Sequence, residues 1–512
     1  KIAADSHASR LQELCGIAYN NLLFTKSISL KGTQRRKEAF LEANDPATRN
    51  LYNNWLEKKQ ELIRQYMRSG EPVTADTTMR ANPARIEQLQ EEVTRMENEL
   101  TLKAKDFKKY LQLVPPDWKT IKEKLQPGEA AIELARFSWR DQVYYSDTAY
   151  YAAYIITASS TAPEVVYFTD DAATLDTKWY KVYKNNIRYK TDDKESYQHF
   201  WKPIKDKLEA LYGAGSIKRI FLSPDGVFHL VNLSTLRNPS TGQYLLDETE
   251  ILYTATEADI NRPAAGKTST AVLFGRPSYE SGVKNAGATT AKPATRSYVQ
   301  NFKNRQIADL PGTEEEIHAI IAAMSGSTIH ATEYLREDAT EDKLYTLRSP
   351  GILHIATHGY WAPAGDSVSD GYRVFNAMAN SGLLFSGVVN YYNTIPYPDA
   401  YDGILTAYEA QNLNMEHTAL VVLSACETSL GELDAGEGVY GLQRAFRAAG
   451  ARAVMTSLWK VDDNATRDFM ISFYQAYLSG NNVANAYLSA QKQVRLKYPQ
   501  PYYWGAFVMM GN

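Results

Sequence analysis

Two short stretches carry the residues most able to do chemistry. Leu420-Val421-Val422-Leu423-Ser424-Ala425-Cys426-Glu427-Thr428 delivers a cysteine, and Leu353-His354-Ile355-Ala356-Thr357-His358-Gly359 delivers a histidine followed by a glycine. A free thiol is only a few per cent thiolate at neutral pH, so a cysteine nucleophile needs an activating neighbour. An imidazole supplies it by taking the thiol proton or by stabilising the thiolate. Gly359 has no side chain, so its N–H, together with that of Cys426, could face a developing oxyanion. The pattern therefore fits nucleophilic acyl transfer by Cys426 with His358 as its base. The plain alternative for Cys426 is a small buried hydrophobe at a strand end, the commonest fate of a free cysteine.

Both stretches must be held by strands. Each is a short run rich in Val, Ile and Leu that stops abruptly at polar and small residues, the signature of a strand buried on both faces of a parallel sheet. Open α/β sheets place their chemistry just beyond the carboxyl ends of such strands. His354 and His358 are four apart and share a strand face; His358, the more terminal, is the better-placed base, and His354 reads as buried packing. Around them, strands and helices alternate. Ala271–Gly275 reads as a strand, and Thr313 with Glu316 reads as a capping box opening a helix from Glu314 to Met324. A helix near Thr340–Leu347 follows, then a hairpin pairing Gly382–Phe385 with Gly403–Thr406. A helix Val439–Ala449, a strand Ala453–Leu458 and a helix from about Thr466 complete the block. This alternation predicts a mainly parallel sheet covered on both faces. Tyr279–Arg305 reads as a flexible loop, and Gly436-Glu437-Gly438 as a flexible loop near the site. The latter lacks the Lys-Ser/Thr of a phosphate-binding loop, and Glu437 would oppose phosphate.

The chain of 512 residues is long enough for roughly three domains. A hydrophobic share of 44% and a charged share of 22% are ordinary for a globular protein. With a net charge of −3 there is no basic excess to neutralise phosphates, so direct nucleic-acid binding is not expected. Only Cys15 and Cys426 occur, which excludes a disulfide framework and suits a reducing compartment. No apolar run approaches the ~18 residues that span a bilayer. The chain starts at Lys1 and shows no charged-then-apolar leader, so a cytoplasmic protein with further chain upstream is expected.

Residues 1–126 read as helical. Leu51, Trp55, Leu62 and Tyr66 share one helical face, and Ile86, Leu89, Val93, Met96 and Leu100 step by 3, 4, 3 and 4, as in a helical hairpin or short coiled coil. Pro115-Pro116 and Pro127-Gly128 close this region. Residues 127–265 turn to strands at Ala130–Leu134, Ala152–Ile156 and Glu164–Phe168, with many of the 35 tyrosines suited to half-exposed strands. A helical stretch near His199–Tyr212 precedes Ile220–Ser223 and the turn Pro224-Asp225-Gly226. His229, inside an apolar run, reads as a packed side chain, and the region as a non-catalytic α/β layer. Residues 266–512 hold the site.

The motifs resemble the CHAT family of caspase-like and separase-like cysteine peptidases. The resemblance lies in Leu353–Gly359, Leu423–Thr428, Gly436–Leu442, Ser457–Asp463, Leu310–Ile317 and Tyr502–Phe507. It is dense from about 268 to 512, and the Ser223–Gly226 turn extends it to about 200. It implies a caspase-like three-layer α/β sandwich, preceded by a degenerate caspase-like α/β region and an N-terminal helical region that looks like the remnant of tetratricopeptide repeats. It also implies a His358–Cys426 dyad, Gly359 and Cys426 amides as oxyanion donors, and neither cofactor nor metal. In caspases a Gln, and in some Arg- or Lys-cutting relatives an Asp, stands two residues before the nucleophile and lines the substrate pocket. Here that position is Ser424, neutral and small. An acid for a basic substrate residue would have to come from Asp402, Glu432, Asp434, Asp462 or Asp463, each of which also reads as a solvated charge or helix cap. Ser457 falls where caspases align substrate, and Trp459 could wall the pocket or simply pack. Glu427 is expected to point away from the thiol, because an inward carboxylate would raise the thiol pKa.

Three functions follow as expectations. The first is a cysteine endopeptidase cutting partner proteins in bacterial defence or regulated cell death, for example a gasdermin-like pore former. The second is a catalytically silent adaptor that recruits partners through its helices. The third is a hydrolase of the same dyad type acting on non-peptide acyl groups. An activating partner or upstream repeat region is expected to order the active-site loops.

Overall fold

The computed structural model describes residues 2–26, 32, 45–68, 83–103, 117–140, 145–255, 260, 268–280, 307–361, 377–389, 401–425, 428, 432–434, 438–460 and 462–511. The middle of the chain contributes β1 (Glu129–Arg140), β2 (Tyr145–Thr157), β3 (Glu164–Asp171), β4 (Arg219–Ser223) and β5 (Glu250–Tyr253). The C-terminal half adds β6 (Thr270–Pro277), β7 (His330–Arg336), β8 (Ile352–Ala356), β9 (Gly359–Trp361), β10 (Ser381–Leu384) and β11 (Ile404–Thr406). It continues with β12 (Leu420–Ser424), β13 (Glu432–Asp434), β14 (Gly438–Tyr440), β15 (Ala453–Ser457) and β16 (Phe507–Met510).

One sheet of 11 strands, in the order β3-β2-β1-β4-β5-β16-β15-β12-β8-β6-β7, runs through both regions. The strands β7, β6, β8, β12 and β15 are mutually parallel. The chain's last strand, β16, joins the two regions, antiparallel to β15 and parallel to β5 at Met510 and Tyr253. The strands β9, β10 and β11 form a separate small sheet.

Alternation with period two sends successive strand residues to opposite faces. On one face Leu273, Ile352, Leu420, Val422 and Met455 pack with Ile317, Phe469 and Tyr487, from the helices Pro311–Met324, Asp463–Leu478 and Val483–Lys497. On the other, Phe274, Leu353, Ile355, Val421, Leu423 and Val454 meet Leu344 and Phe446, from the helices Glu341–Thr346 and Leu442–Ala448. The result is a sheet between two helical layers, a mixed α/β architecture. In the middle region Ile132, Leu134, Ile220 and Leu222 pack on Tyr183, Phe200 and Ile204. The reverse face, at Ala131 and Ile156, is covered by Trp118, Ile121 and two side chains of the first helix, Tyr19 and Leu23. The helices Pro46–Arg68 and Pro83–Lys103 close on each other through Tyr52, Trp55 and Leu62 against Ile86, Leu89, Val93 and Leu100, the seam that the heptad spacing predicts.

Some elements differ from the sequence reading. β7 is an exposed edge strand with few apolar residues, and the apolar run of β5 is only Ile251-Leu252-Tyr253, too short to stand out. Val439 and Tyr440 belong to β14, and the helix after them starts at Leu442. The helix expected to open with a capping box instead begins at Pro311, with no side-chain cap. Thr313 lies inside it and donates to Leu310 O at 2.8 Å, while Glu316 turns inward and is buried. The loop expected over Tyr279–Arg305 falls, beyond Glu280, outside the described residues, as do Gly436 and Glu437.

Candidate active site

β8 and β12 are parallel neighbours, and their register sets Ser424 opposite Ala356. Both chains therefore leave the sheet at the same carboxyl-end edge, about 4.8 Å apart. His358 follows Ala356 by two residues, and Cys426 follows Ser424 by two. Cys426 and Glu427 lie outside the described residues. The residues on either side of them are braced by one serine. Ser457, at the end of β15, donates its hydroxyl to Ala425 O and its amide to Thr428 Oγ1, the latter at 2.9 Å.

His358 is held on three sides. Its Nε2 lies 2.8 Å from Ala308 O, which as a carbonyl only accepts, so Nε2 carries the proton and Nδ1 keeps a lone pair. Its amide donates to the Tyr279 hydroxyl at 3.3 Å, and the two rings sit 5.3 Å apart. Thr357 Oγ1 donates to Leu384 O at 2.6 Å, so the Tyr279 hydroxyl is the donor in its 2.9 Å bond to Thr357 Oγ1. Ala308 is fixed in turn by its neighbour Asp309, whose carboxylate takes bonds of 2.9 Å and 2.6 Å from the Arg276 guanidinium at the end of β6. Those bonds hold the Asp309 carboxyl below the usual carboxylate range. Burial lowers the His358 pKa below its ordinary value, and the positive charge of Lys460 acts the same way. The neutral imidazole is therefore the resting form at neutral pH.

Gly359 opens β9 opposite Leu383, and the neighbouring bond runs from Leu384 N to His358 O at 3.0 Å. In an antiparallel ladder this makes Gly359 and Leu383 a non-hydrogen-bonded pair. The Gly359 N–H thus points away from β10.

Beneath the edge lies a buried polar group. Glu316 Oε1 bonds His354 Nε2 at 2.9 Å, Ser424 Oγ donates to Glu316 Oε2 at 3.1 Å, and His354 Nδ1 meets the Tyr474 hydroxyl at 3.0 Å. His354 is thus interior, and Ser424 is turned inward with it. Asp402 is also buried; its Oδ1 accepts from Ile404 N at 2.9 Å at the start of β11. Trp459 donates Nε1 to Tyr502 O at 2.9 Å and meets Tyr183 edge-on at 6.5 Å. Asp462 caps the helix Asp463–Leu478 by accepting from Asn464 N and Ala465 N. Of the expected substrate-pocket residues, the structure thus uses Ser424, Asp402, Ser457, Trp459 and Asp462 for internal bonds. Tyr279, Ala308 and Glu316 are the site residues that sequence reasoning missed. Glu316 alone leaves a signal, in the Leu310–Ile317 motif, where its spacing from Thr313 mimics a capping box. Among the described residues no cluster of His, Cys, Asp and Glu is placed to hold a metal ion, and no helix is long and apolar enough to cross a membrane.

Comparison with known proteins adds the family. A model of the CHAT domain family matches residues 194–512. Tetratricopeptide repeat protein 28 of Homo sapiens is 25% identical over 319 residues, a match covering 58% of this chain and 12% of that protein. Its Mus musculus counterpart is 24% identical over 315 residues, with the same coverage of 58% and 12%. This chain therefore matches only a small part of the length of these relatives. Among solved structures it is similar to the Arg-specific cysteine proteinase gingipain R, with a TM-score of 0.37 and 8% identity over 67% of this chain and 75% of that one. It is also similar to the Saccharomyces cerevisiae separase–securin complex, with a TM-score of 0.41 and 9% identity over 84% of this chain and 33% of that one.

Proposed function

Because the chain belongs to the CHAT domain family, and the matched region holds both His358 and Cys426, we propose that it is a cysteine-type endopeptidase acting through these two side chains. The observation that carries this reading is the state of His358. Its Nε2–H is committed to Ala308 O at 2.8 Å, which leaves Nδ1 as the base, at the edge from which Cys426 emerges. In the proposed reaction Nδ1 takes the Cys426 proton and the thiolate sulfur attacks the scissile carbonyl carbon. The amides of Gly359 and Cys426 hold the oxyanion. The protonated imidazole then gives its proton to the departing amine, leaving a thioester. A water molecule, deprotonated by His358, releases the acid and restores the thiol. The lowered pKa of His358 favours this role, since a base must be unprotonated at working pH.

The substrate in this reading is a partner protein, and a gasdermin-like pore former in bacterial defence or regulated cell death is the kind the family resemblance supports. The test is incubation of the chain, and of its Cys426→Ala variant, with a proteome-derived peptide library, followed by sequencing of the new N-termini. Cys426-dependent cuts sharing a residue preference support the proposal. Identical products from the two proteins overturn it.

A second reading, a recruiting scaffold, draws on the first helix. Leu11, Leu14 and Ile17 are 59%, 53% and 51% exposed there. An apolar helix side of that kind suits a protein partner. It is compatible with catalysis and becomes the sole function only if Cys426 proves unreactive.

A further inference from the structure

Glu316 is 3% exposed and lies on the sheet face covered by its own helix, Pro311–Met324. Its two carboxylate oxygens are shared between two neighbouring strands. Oε1 takes His354 of β8 at 2.9 Å and Oε2 takes Ser424 of β12 at 3.1 Å. His354 stands four residues before His358, and Ser424 two before Cys426. A second helix, Asp463–Leu478, adds Tyr474 on the far nitrogen of His354 at 3.0 Å. The same short stretch of chain that ends at Glu316 begins at Ala308, whose carbonyl orients the His358 ring. One segment therefore grips the imidazole at one end and both strands that lead to the reacting groups at the other.

We propose that Glu316 is a positioning residue for the reacting pair, clamping β8 and β12 so that His358 and Cys426 leave the edge at a fixed offset; the role rests on the peptidase reading above. A carboxylate suits this task because both of its oxygens accept, one donor from each strand. An amide still accepts one donor and can donate to the Ser424 hydroxyl, so glutamine preserves the bridge in altered form. Alanine removes it. The clamp also commits the Ser424 hydroxyl inward, to the Glu316 carboxylate.

The experiment compares the full chain with Glu316→Ala, Glu316→Gln, Ser424→Ala and a remote destabilising control, Leu89→Ala in the helical hairpin. Three quantities are read for each. These are the pH midpoint of iodoacetamide alkylation mapped to Cys426 by mass spectrometry, the separate kinact and KI of an acyloxymethylketone peptide, and the melting temperature. The clamp predicts that Glu316→Ala raises the alkylation midpoint by about one pH unit, because a displaced imidazole can no longer take the thiol proton. It also predicts a kinact lower by about tenfold or more with KI little changed. Ser424→Ala shifts the same quantities less, and Glu316→Gln recovers most of the loss. A merely structural role predicts that all variants, Leu89→Ala included, change only with melting temperature, and that result overturns the proposal. So does an unchanged midpoint and kinact in Glu316→Ala. Should Glu316→Ala fail to fold, Ser424→Ala against Glu316→Gln gives the same comparison. If the wild type resists the peptide probe while its alkylation midpoint still depends on Glu316, the peptidase reading falls and the clamp stands.

Discussion

Lys26 offers the most quantitative test of how the N-terminal helices are fastened to the sheet. Its ammonium is buried where the end of β4 meets the middle of β1, 3.0 Å from Glu133 Oε2, 2.9 Å from Ser223 Oγ and 3.1 Å from the carbonyls of Ser223 and Pro224. Side-chain exposures of 4% and 0% mean that neither charge of the Lys26–Glu133 pair is solvated. At an effective dielectric of about 20, charges at this distance attract by about 5 kcal/mol. The hydration given up on burial is several kcal/mol per ion, so the intact pair contributes little net stability. Removing one partner is different. Lys26→Met keeps the length and takes away the cation, leaving the Glu133 carboxylate buried without it, at a cost of about 3–5 kcal/mol. Glu133→Leu strands the ammonium at similar cost, and the double variant should lose far less than the sum, with a coupling energy of about 2–4 kcal/mol. A chain of this size need not unfold in one step, so the assay is native-state hydrogen exchange across the first helix and β4. Faster exchange in both single variants, largely restored in the double variant, is the expected result. Additivity within about 0.5 kcal/mol, or a Lys26→Met loss below about 1 kcal/mol, would refute the reasoning.

Three further outcomes follow from local geometry. A Cβ added at Gly275 would stand 2.6 Å from Ile317 Cγ1 and 3.0 Å from Thr313 O, so Gly275→Ala should push the Glu316 helix off β6 and cost about 1–3 kcal/mol, read by thermal melting. Burial presses the His229 pKa down to about 4. Above an unfolded pKa of about 6.5 both states are neutral and no penalty exists; below it the unfolded chain binds a proton that the folded chain refuses, so stability falls by up to about 3 kcal/mol by pH 4. His229→Gln should flatten that acid limb in urea titrations run across pH. Arg276→Gln, which releases Asp309 and one of the two arginines on Glu314, should slow labelling of Cys426 about tenfold while lowering the melting temperature only modestly, because Asp309 is 55% exposed and Glu314 keeps its 2.9 Å bond from Arg336.

The parts of the fold that were legible in the sequence are those where one residue type answers to one environment. β6, β8, β12 and β15 announce themselves because both of their faces are buried, which favours short, mostly apolar runs, broken in β8 by the buried His354. The hairpin seam is legible through its 3-and-4 spacing. Other parts depend on who the neighbour is, and spacing carries no such information. β7 alternates weakly because it is an exposed edge, and the join of both regions into one sheet is made by β16 at the far end of the chain. Tyr279 reaches His358 across 79 residues, and Ala308 acts through a carbonyl that every residue possesses. Glu316 fits the capping signature in sequence, yet two buried donors on neighbouring strands outbid the helix terminus for its carboxylate.

The central claim is that Cys426, served by His358, is a nucleophile that attacks peptide carbonyls. Its most direct measurement is labelling of the purified chain by an acyloxymethylketone peptide, with the adduct mapped by mass spectrometry. The account predicts stoichiometric modification at Cys426, abolished in Cys426→Ala and strongly slowed in His358→Ala. Wild-type protein that stays unlabelled alongside a cleaved partner, or labelling that persists in Cys426→Ala, would contradict it.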